Sequence, residues 1–329
     1  MAALTQLEAT TNDYFMVKGK KAVDCYFQKS FSIDWFLNQK KGIFERPSSG
    51  RNVRIPFRYD GNEAGFYSRG ETISSDKKEA ITAAYFQLKH AYGNATILRV
   101  DELENDGPEG MVNLVFEEVE GAQESLSKTL AESFYEDNAD STSRLTGLLA
   151  ICDDTSSRAY GNVTPTDVIA ENGEYPWLGR TITGSTTPIS LDIIRTLRTY
   201  ADYGTGKQDE PDQVITSKRI YNKIKNILQA QQMFTTADSK VVKAGFIGLN
   251  FEGADIYPCK YVADNGTTGD VFAINTNHFG FAVHKKGMFM RTEWAYIQGT
   301  ANDKTMKIFF DGNIVVNNRR AHAYYSSVA

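Results

Sequence analysis

Apolar residues recur at three- and four-residue steps through residues 108–136: Val112, Val115, Val119, Ala122, Leu126, Leu130 and Phe134. One such stripe predicts a long amphipathic helix. Pro108 suits the first helical position, where its missing N–H costs nothing, and Asp106 is placed to cap it. The opposite faces carry Glu117, Glu118, Glu120, Glu124, Glu132 and Glu136, with Lys128 almost the only basic residue among them. At about 1.5 Å per residue the helix runs roughly 40 Å, a spine across which a thin domain is laid. Gly121 falls in mid-helix, where it costs about 1 kcal/mol against alanine. A bend or a close backbone approach is expected there.

At residues 52–59 the period switches to two. Val53, Ile55, Phe57 and Tyr59 alternate with Arg54, Pro56 and Arg58. This is a half-buried strand, and Pro56 restricts it to a sheet edge or a free-standing hairpin. Asp60-Gly61-Asn62 turns it. After a polar span over residues 68–78, a second β-rich run covers residues 81–92, with Tyr85, Phe86 and Leu88. The two runs read as a long hairpin arm, which needs a surface to lie on because an isolated hairpin is marginal in water. Upstream, residues 1–48 do not read as a compact domain. Phe31, Ile33, Trp35, Phe36 and Leu37, followed by Lys40 and Lys41, form an aromatic arm that docks either on its own domain or on another molecule.

Past the spine, Gly147 between apolar neighbours predicts a tight backbone turn ahead of the buried run 148–151. Tyr160-Gly161-Asn162 and Tyr175-Pro176-Trp177 are turn-rich and aromatic. Ser190 caps a helix with face Leu191, Ile194, Leu197 and Ala201, closed by Gly204. Residues 212–216 form a short buried strand, and Ser217 caps a second helix with Ile220, Tyr221, Ile224, Ile227 and Leu228 on one face. Helices covering a sheet are the implied layer. Strands are expected at 245–251, 255–261, 271–274, 279–283, 288–293, 306–310 and 313–325, with Asp311-Gly312 as the turn between the last two.

The chain has 329 residues, 41% hydrophobic and 23% charged, enough for one large domain or two modest ones. A net charge of −5 argues against a dedicated nucleic-acid binder. Cys25, Cys152 and Cys259 lie far apart and read as buried free thiols in a reducing compartment. No apolar run approaches the roughly 20 residues that span a bilayer, and no signal-peptide core is present.

Motifs for chemistry fail one by one. Gly204-Thr205-Gly206-Lys207-Gln208 resembles the end of a phosphate loop but has Ala201 for its first glycine and Gln208 for the magnesium-binding hydroxyl. Glu102, Glu104, Asp106 and Gly107 echo a calcium loop, but Asn113 stands where the closing Glu belongs. His90, His278, His284 and His322 have no metal-ligand spacing. There is no nucleophile elbow, and Cys25 and Cys152 lack a nucleophile's local signature. Asn94, Asn162 and Asn265 head acceptor triplets for glycosylation, coincidental in a chain without a signal peptide. No catalytic, cofactor or metal residue emerges; scattered carboxylates could meet only in the fold, so an α+β enzyme stays open as an alternative.

The order of parts is what is unusual: arm, long two-stranded loop, spine, glycine turn, helix–strand–helix layer and terminal strand. It resembles the major capsid proteins of tailed phages, with the Hong Kong 97-type α+β fold, over nearly the whole chain. The most specific pieces are residues 145–151 (Leu-Thr-Gly-Leu-Leu-Ala-Ile), 211–217 (Pro-Asp-Gln-Val-Ile-Thr-Ser) and 312–320 (Gly-Asn-Ile-Val-Val-Asn-Asn-Arg-Arg). The resemblance implies an N-terminal arm at 1–48 and an extended E-loop at 49–95. It implies a peripheral domain at 96–185 and 300–329 with its spine at 108–136, and an axial domain at 186–299. It implies a structural, non-enzymatic protein without cofactor, made in the host bacterial cytoplasm and assembled into hexamers and pentamers of an icosahedral virion shell. The implied partners are other copies of the chain, a portal at one vertex, packaged double-stranded DNA contacted non-specifically, and no membrane. The first 48 residues are too short for a cleaved scaffolding segment, so a separate scaffolding protein is expected.

Contacts between subunits are expected from Trp35, Phe36, Arg54, Phe57, Arg58, Arg69, Lys77 and Lys78, with the hairpin and arm burying apolar faces on neighbours. Some members of the family join an E-loop lysine to a neighbour's asparagine with a glutamate assisting. Lys77, Lys78, Asn317 and Asn318 are the corresponding residue types here, against the plainer reading of a solvated tip or a salt bridge. A Glu-rich spine face turned inward would keep DNA from adhering; a merely solvated face is the alternative. An encapsulin, a bacterial compartment shell of the same fold, is the nearest competing reading.

Overall fold

The computed structural model describes residues 52–62, 64–70, 72, 78–104, 108–184, 186–202, 209–230, 249–299 and 302–329. In chain order the strands and helices are β1 (Asn52–Arg58), β2 (Ile81–Gln87), β3 (Lys89–Ile97), α1 (Arg99–Glu104), α2 (Pro108–Tyr135), α3 (Leu148–Cys152), β4 (Thr181–Thr183), α4 (Leu191–Ala201), β5 (Gln213–Thr216) and α5 (Lys218–Ala230). Then follow β6 (Leu249–Phe251), β7 (Ala254–Pro258), β8 (Gly269–Ile274), β9 (Phe279–Val283), β10 (Met290–Arg291), β11 (Ala295–Tyr296), β12 (Lys304–Val316) and β13 (Ala323–Val328). The mixed α+β content is as the patterns predict. The arm with Cys25, Trp35 and Phe36, and Lys77, Asp106 and Gly204, lie outside the described residues.

The spine is one 28-residue helix, α2, one residue shorter than its pattern. Its stripe works as read: Ala122, Leu126, Leu130 and Phe134 are buried. Glu117, Glu118, Glu120 and Glu124 are half-buried, so the acidic face is not simply a solvated band. The stripe packs on β3, and here the expectation of a close backbone approach at Gly121 is corrected. Nothing lies within 4 Å of where a Cβ on Gly121 would stand. The close approach belongs to Gly93 on the facing strand, whose Cβ would sit 2.5 Å from the carbonyl oxygen of Ala122. The space between helix and strand is made by the strand's residue, so the helix needs no glycine for it.

β12 is the axis of the first sheet. One edge pairs with β3 from Lys304 to Gly312, and the other pairs in turn with β11, β10 and β9. The expected turn at Asp311-Gly312 is absent. Asp311 donates its N–H to the Gly287 carbonyl (2.8 Å) and accepts from the His284 N–H (2.9 Å), while Gly312 pairs with Lys89 and Val283. A ladder filled on both edges overrides the local turn preference of Asp-Gly.

The second sheet runs β4-β13-β8-β5-β7-β6. The expected terminal strand 313–325 is divided: residues 313–316 end β12, and β13 pairs with β8 in this sheet, while β9, β10 and β11 lie beside β12. Alternation along its strands divides the core in two. Val214, Val271, Ala273 and Ala323 face α4 and α5 with Ile194, Leu197, Ile220 and Ile224, whereas Ile215, Phe272 and Ile274 face the spine's core. Both helices start as read: Ser190 Oγ accepts from the Ile193 N–H at 3.3 Å and Ser217 Oγ from the Ile220 N–H at 3.4 Å.

Candidate assembly surface

β1 and β2 pair antiparallel over their full length as a separate two-stranded sheet, from Asn52 with Gln87 to Arg58 with Ile81. Residues 81–92 are therefore two strands, interrupted at Leu88, with only the first in the hairpin. The inner face does not wait for a neighbour. Val53, Ile55, Ala84 and Phe86 are buried in the chain's own core, Phe57 stacks on Trp177 at 4.0 Å, and Phe86 meets Tyr160 edge-on at 5.4 Å. The docking surface is the loop of residues 160–177, read from sequence only as turn-rich. An aromatic in a turn gives no sign of which strand will stack on it.

The outer face is different in kind. Arg54 stands across from Tyr85 and Arg58 across from Ile81, all exposed. Arg58 is held at the hairpin's end by donating Nε to the Asp60 carbonyl (2.8 Å) and Nη2 to Asn62 Oδ1 (3.1 Å). Beyond it, Phe66 is fully exposed and Tyr67 is 70% exposed, with exposed Arg69 close by. Adjacent bare aromatics flanked by arginine are the composition of an interface core.

Between the hairpin's end and residues 170–177 lies an open groove of about 880 Å³, also lined by His278, Asn317, Asn318 and Arg320. Two of its acids are paired within the chain: Glu171 with Lys78 at 2.7 Å and Glu174 with Arg320 at 3.2 Å. Asn317 Oδ1 lies 2.7 Å from His278 Nδ1. Of the crosslink candidates, Lys78, Asn317 and Asn318 are thus each engaged by another residue of their own chain, Asn318 by accepting the Arg320 N–H (3.2 Å), and Lys77 lies outside the described residues.

The wall behind the groove is pinned by a residue that sequence reading missed. Arg319 is 2% exposed and spends its guanidinium on backbone carbonyls. Nε donates to Ile151 (3.0 Å), Nη1 to Trp177 (2.9 Å) and Nη2 to both Ala150 and Asp153 (3.0 Å each). Its guanidinium also lies over the Tyr160 ring at 4.6 Å. Three of those carbonyls close the C-terminal end of α3, where the peptide dipoles favour a cation. Burial lowers the arginine to about 10. The same burial pushes the Cys152 thiol up to about 12, which makes it inert at neutral pH. Cys152 and Cys259 are both buried free thiols.

Gly147 opens α3 with ordinary extended backbone, φ −84° and ψ 177°. What it supplies is room: a Cβ there would stand 1.8 Å from the carbonyl oxygen of Glu136 at the end of the spine. Asn313 fastens the same corner, accepting from the Thr146 N–H (3.0 Å) and donating to the Gln87 carbonyl (2.9 Å).

Among the described residues no group of three or more His, Cys, Asp and Glu side chains is placed to hold a metal, and no helix is long and apolar enough to cross a membrane. No family model and no curated protein matches the chain by sequence. Solved structures do match. The capsid asymmetric unit of cyanophage A-1(L) superposes with a TM-score of 0.66 at 12% identity, over 94% of this chain and 96% of that one. The capsid of Myoviridae phage XM1 gives 0.60 at 14%, over 95% and 98%. The holo-SrpI encapsulin complex from Synechococcus elongatus PCC 7942 gives 0.58 at 8%, over 99% and 96%. The chain has the Hong Kong 97-type fold of these shell proteins.

Proposed function

We propose that the chain is the major capsid protein of a tailed-phage type of virion, a structural subunit that assembles into hexamers and pentamers of an icosahedral shell around double-stranded DNA. The observation that carries this reading is the end-to-end match, nearly complete in both directions, to phage capsid structures. The exposed aromatic tip and the arginine-lined outer face of the hairpin support it, because a lone subunit has no use for them. In this reading residues 49–95 are the E-loop, with Arg54, Arg58, Phe66, Tyr67 and Arg69 meeting neighbouring copies. Phe57 serves the interface from behind, by fixing the hairpin to Trp177. A separate scaffolding protein guides assembly, a portal occupies one vertex, and DNA is held without sequence readout.

A second reading, a compartment shell holding cargo protein, is favoured by the similarity to the encapsulin. Particles from the native source separate the two. Nuclease-protected double-stranded DNA supports the capsid, and a protein cargo without nucleic acid supports the compartment.

The tip gives a direct test of how copies join. Phe66→Ser with Tyr67→Ser is expected to cut the assembled fraction at least tenfold, since buried aromatic anchors each contribute about 2 kcal/mol or more at an interface. Subunit stability should stay within about 0.5 kcal/mol, because both rings are largely exposed among the described residues. Sedimentation velocity reads the first and urea unfolding the second. Unchanged particle yield would remove the tip from the interface.

A further inference from the structure

The chain passes between its two sheets three times: from β3 to β4 by way of α3, from β8 to β9 through residues 275–278, and from β12 to β13 through residues 317–322. All three passages meet at residues 319–322. Arg319 bonds the carbonyls of the first, at Ala150, Ile151 and Asp153. His322 bonds the second, its Nδ1 accepting the N–H of Asn275 at 3.3 Å. Between those ties the second and third passages are joined by the Asn317 N–H to the His278 carbonyl (3.4 Å) and by the His278 and Asn317 side chains. The strands on either side form one antiparallel ribbon, β9 with β12 and β8 with β13, broken only here.

We infer that this crossing is an acid-released lock between the two sheets, with His322 as the group whose protonation opens it. His322 is 0% exposed, and an Nδ1 that accepts a hydrogen bond carries no proton. Protonation removes that acceptor from the buried Asn275 N–H and puts a second cation near Arg319. The charged and titratable groups around it offer little relief. His278 stands on the β8–β9 passage and Arg319 on the histidine's own turn. Asp212, from beside β5, is already accepting from the N–H and hydroxyl of Thr276. Arg319 donates to the Asp153 carbonyl, the Phe279 ring lies 5.9 Å away, and a hydrogen bond to the His278 backbone, which favours the charged ring, is outweighed by burial. The proton can be taken up only when the crossing opens to water.

The sign follows from linkage. Burial holds the closed-state histidine down at about 3, against an ordinary value of about 6.5 once open. The lock is therefore at full strength above about pH 6.5 and weakens as the pH falls towards 3. Between pH 7 and pH 4.5 the opening equilibrium should rise roughly a hundredfold. The device belongs to the single subunit and does not depend on the shell reading.

Hydrogen exchange of the full-length chain tests it, with protection factors corrected for intrinsic rate and referred to α4. In the wild type, residues 273–279 and 317–325 should lose protection roughly a hundredfold between pH 7 and pH 4.5 while α4 does not. His322→Gln, whose amide oxygen can accept from Asn275 without titrating, should flatten that response, and His278→Gln should leave most of it. If the glutamine variant does not fold, His322→Asn takes its place. Protection at the crossing that does not change with pH in the wild type, or a full acid response in the His322 variants, would overturn the proposal.

Discussion

Replacing Arg319 by methionine is expected to lower the unfolding free energy of the subunit by about 3–5 kcal/mol, read from urea unfolding. Methionine fills much of the volume but leaves three buried carbonyls, those of Ala150, Ile151 and Trp177, and the partly buried one of Asp153 without their donor. Each unsatisfied group costs about 1–3 kcal/mol, partly recovered by relaxation and water entry. Arg319→Lys should lose at least about 2 kcal/mol. Its compact ammonium cannot reach oxygens arrayed around a planar fork. Because the arginine also backs Trp177, on which Phe57 stacks, the hairpin should loosen with it, seen as faster hydrogen exchange in β1. A loss below about 1 kcal/mol for the methionine variant would show that these bonds do not hold the wall together.

Two glycine-to-alanine changes at either end of the spine's story should have opposite signs. Gly147→Ala puts a methyl group 1.8 Å from the Glu136 carbonyl oxygen, and the neighbours at that point are backbone, which cannot rotate away. The end of α2 and the start of α3 must separate, at a cost of about 3 kcal/mol or more. Gly121→Ala meets open space on a helix and should stabilise by about 0.5–1 kcal/mol. Thermal unfolding of both variants against the wild type decides it. Destabilisation by Gly121→Ala would reinstate a packing role for that glycine, and a neutral Gly147→Ala would deny one to the other.

The contrast between these glycines shows what a sequence can carry. The spine was readable because its apolar stripe has the helical period over seven positions, and the hairpin because Val53, Ile55 and Phe57 alternate around Pro56. Both are local signals. Gly121 was misread because a glycine in a helix points to a close approach somewhere, and only the packed structure places that approach on Gly93 of the facing strand. Asp311-Gly312 carries a strong local turn signal that strands arriving from residues 89 and 283 override. The assignment of β13 to the sheet of β8 rests likewise on pairing between distant segments.

At the candidate surface the exposed side of the hairpin was legible, since Arg54 and Arg58 occupy the polar positions of an alternating strand. Its covered side was not. Trp177 and Arg319 act through a stacked ring and through backbone carbonyls, and carbonyls are supplied by any sequence at all. A buried cation whose partners are main-chain atoms leaves no complementary residue to look for.

Electron microscopy of the purified protein, alone and co-expressed with a candidate scaffolding protein from its source, tests directly whether this chain closes into shells. Uniform closed particles with hexameric and pentameric clusters are predicted. A stable lone monomer at high concentration under both conditions would contradict it.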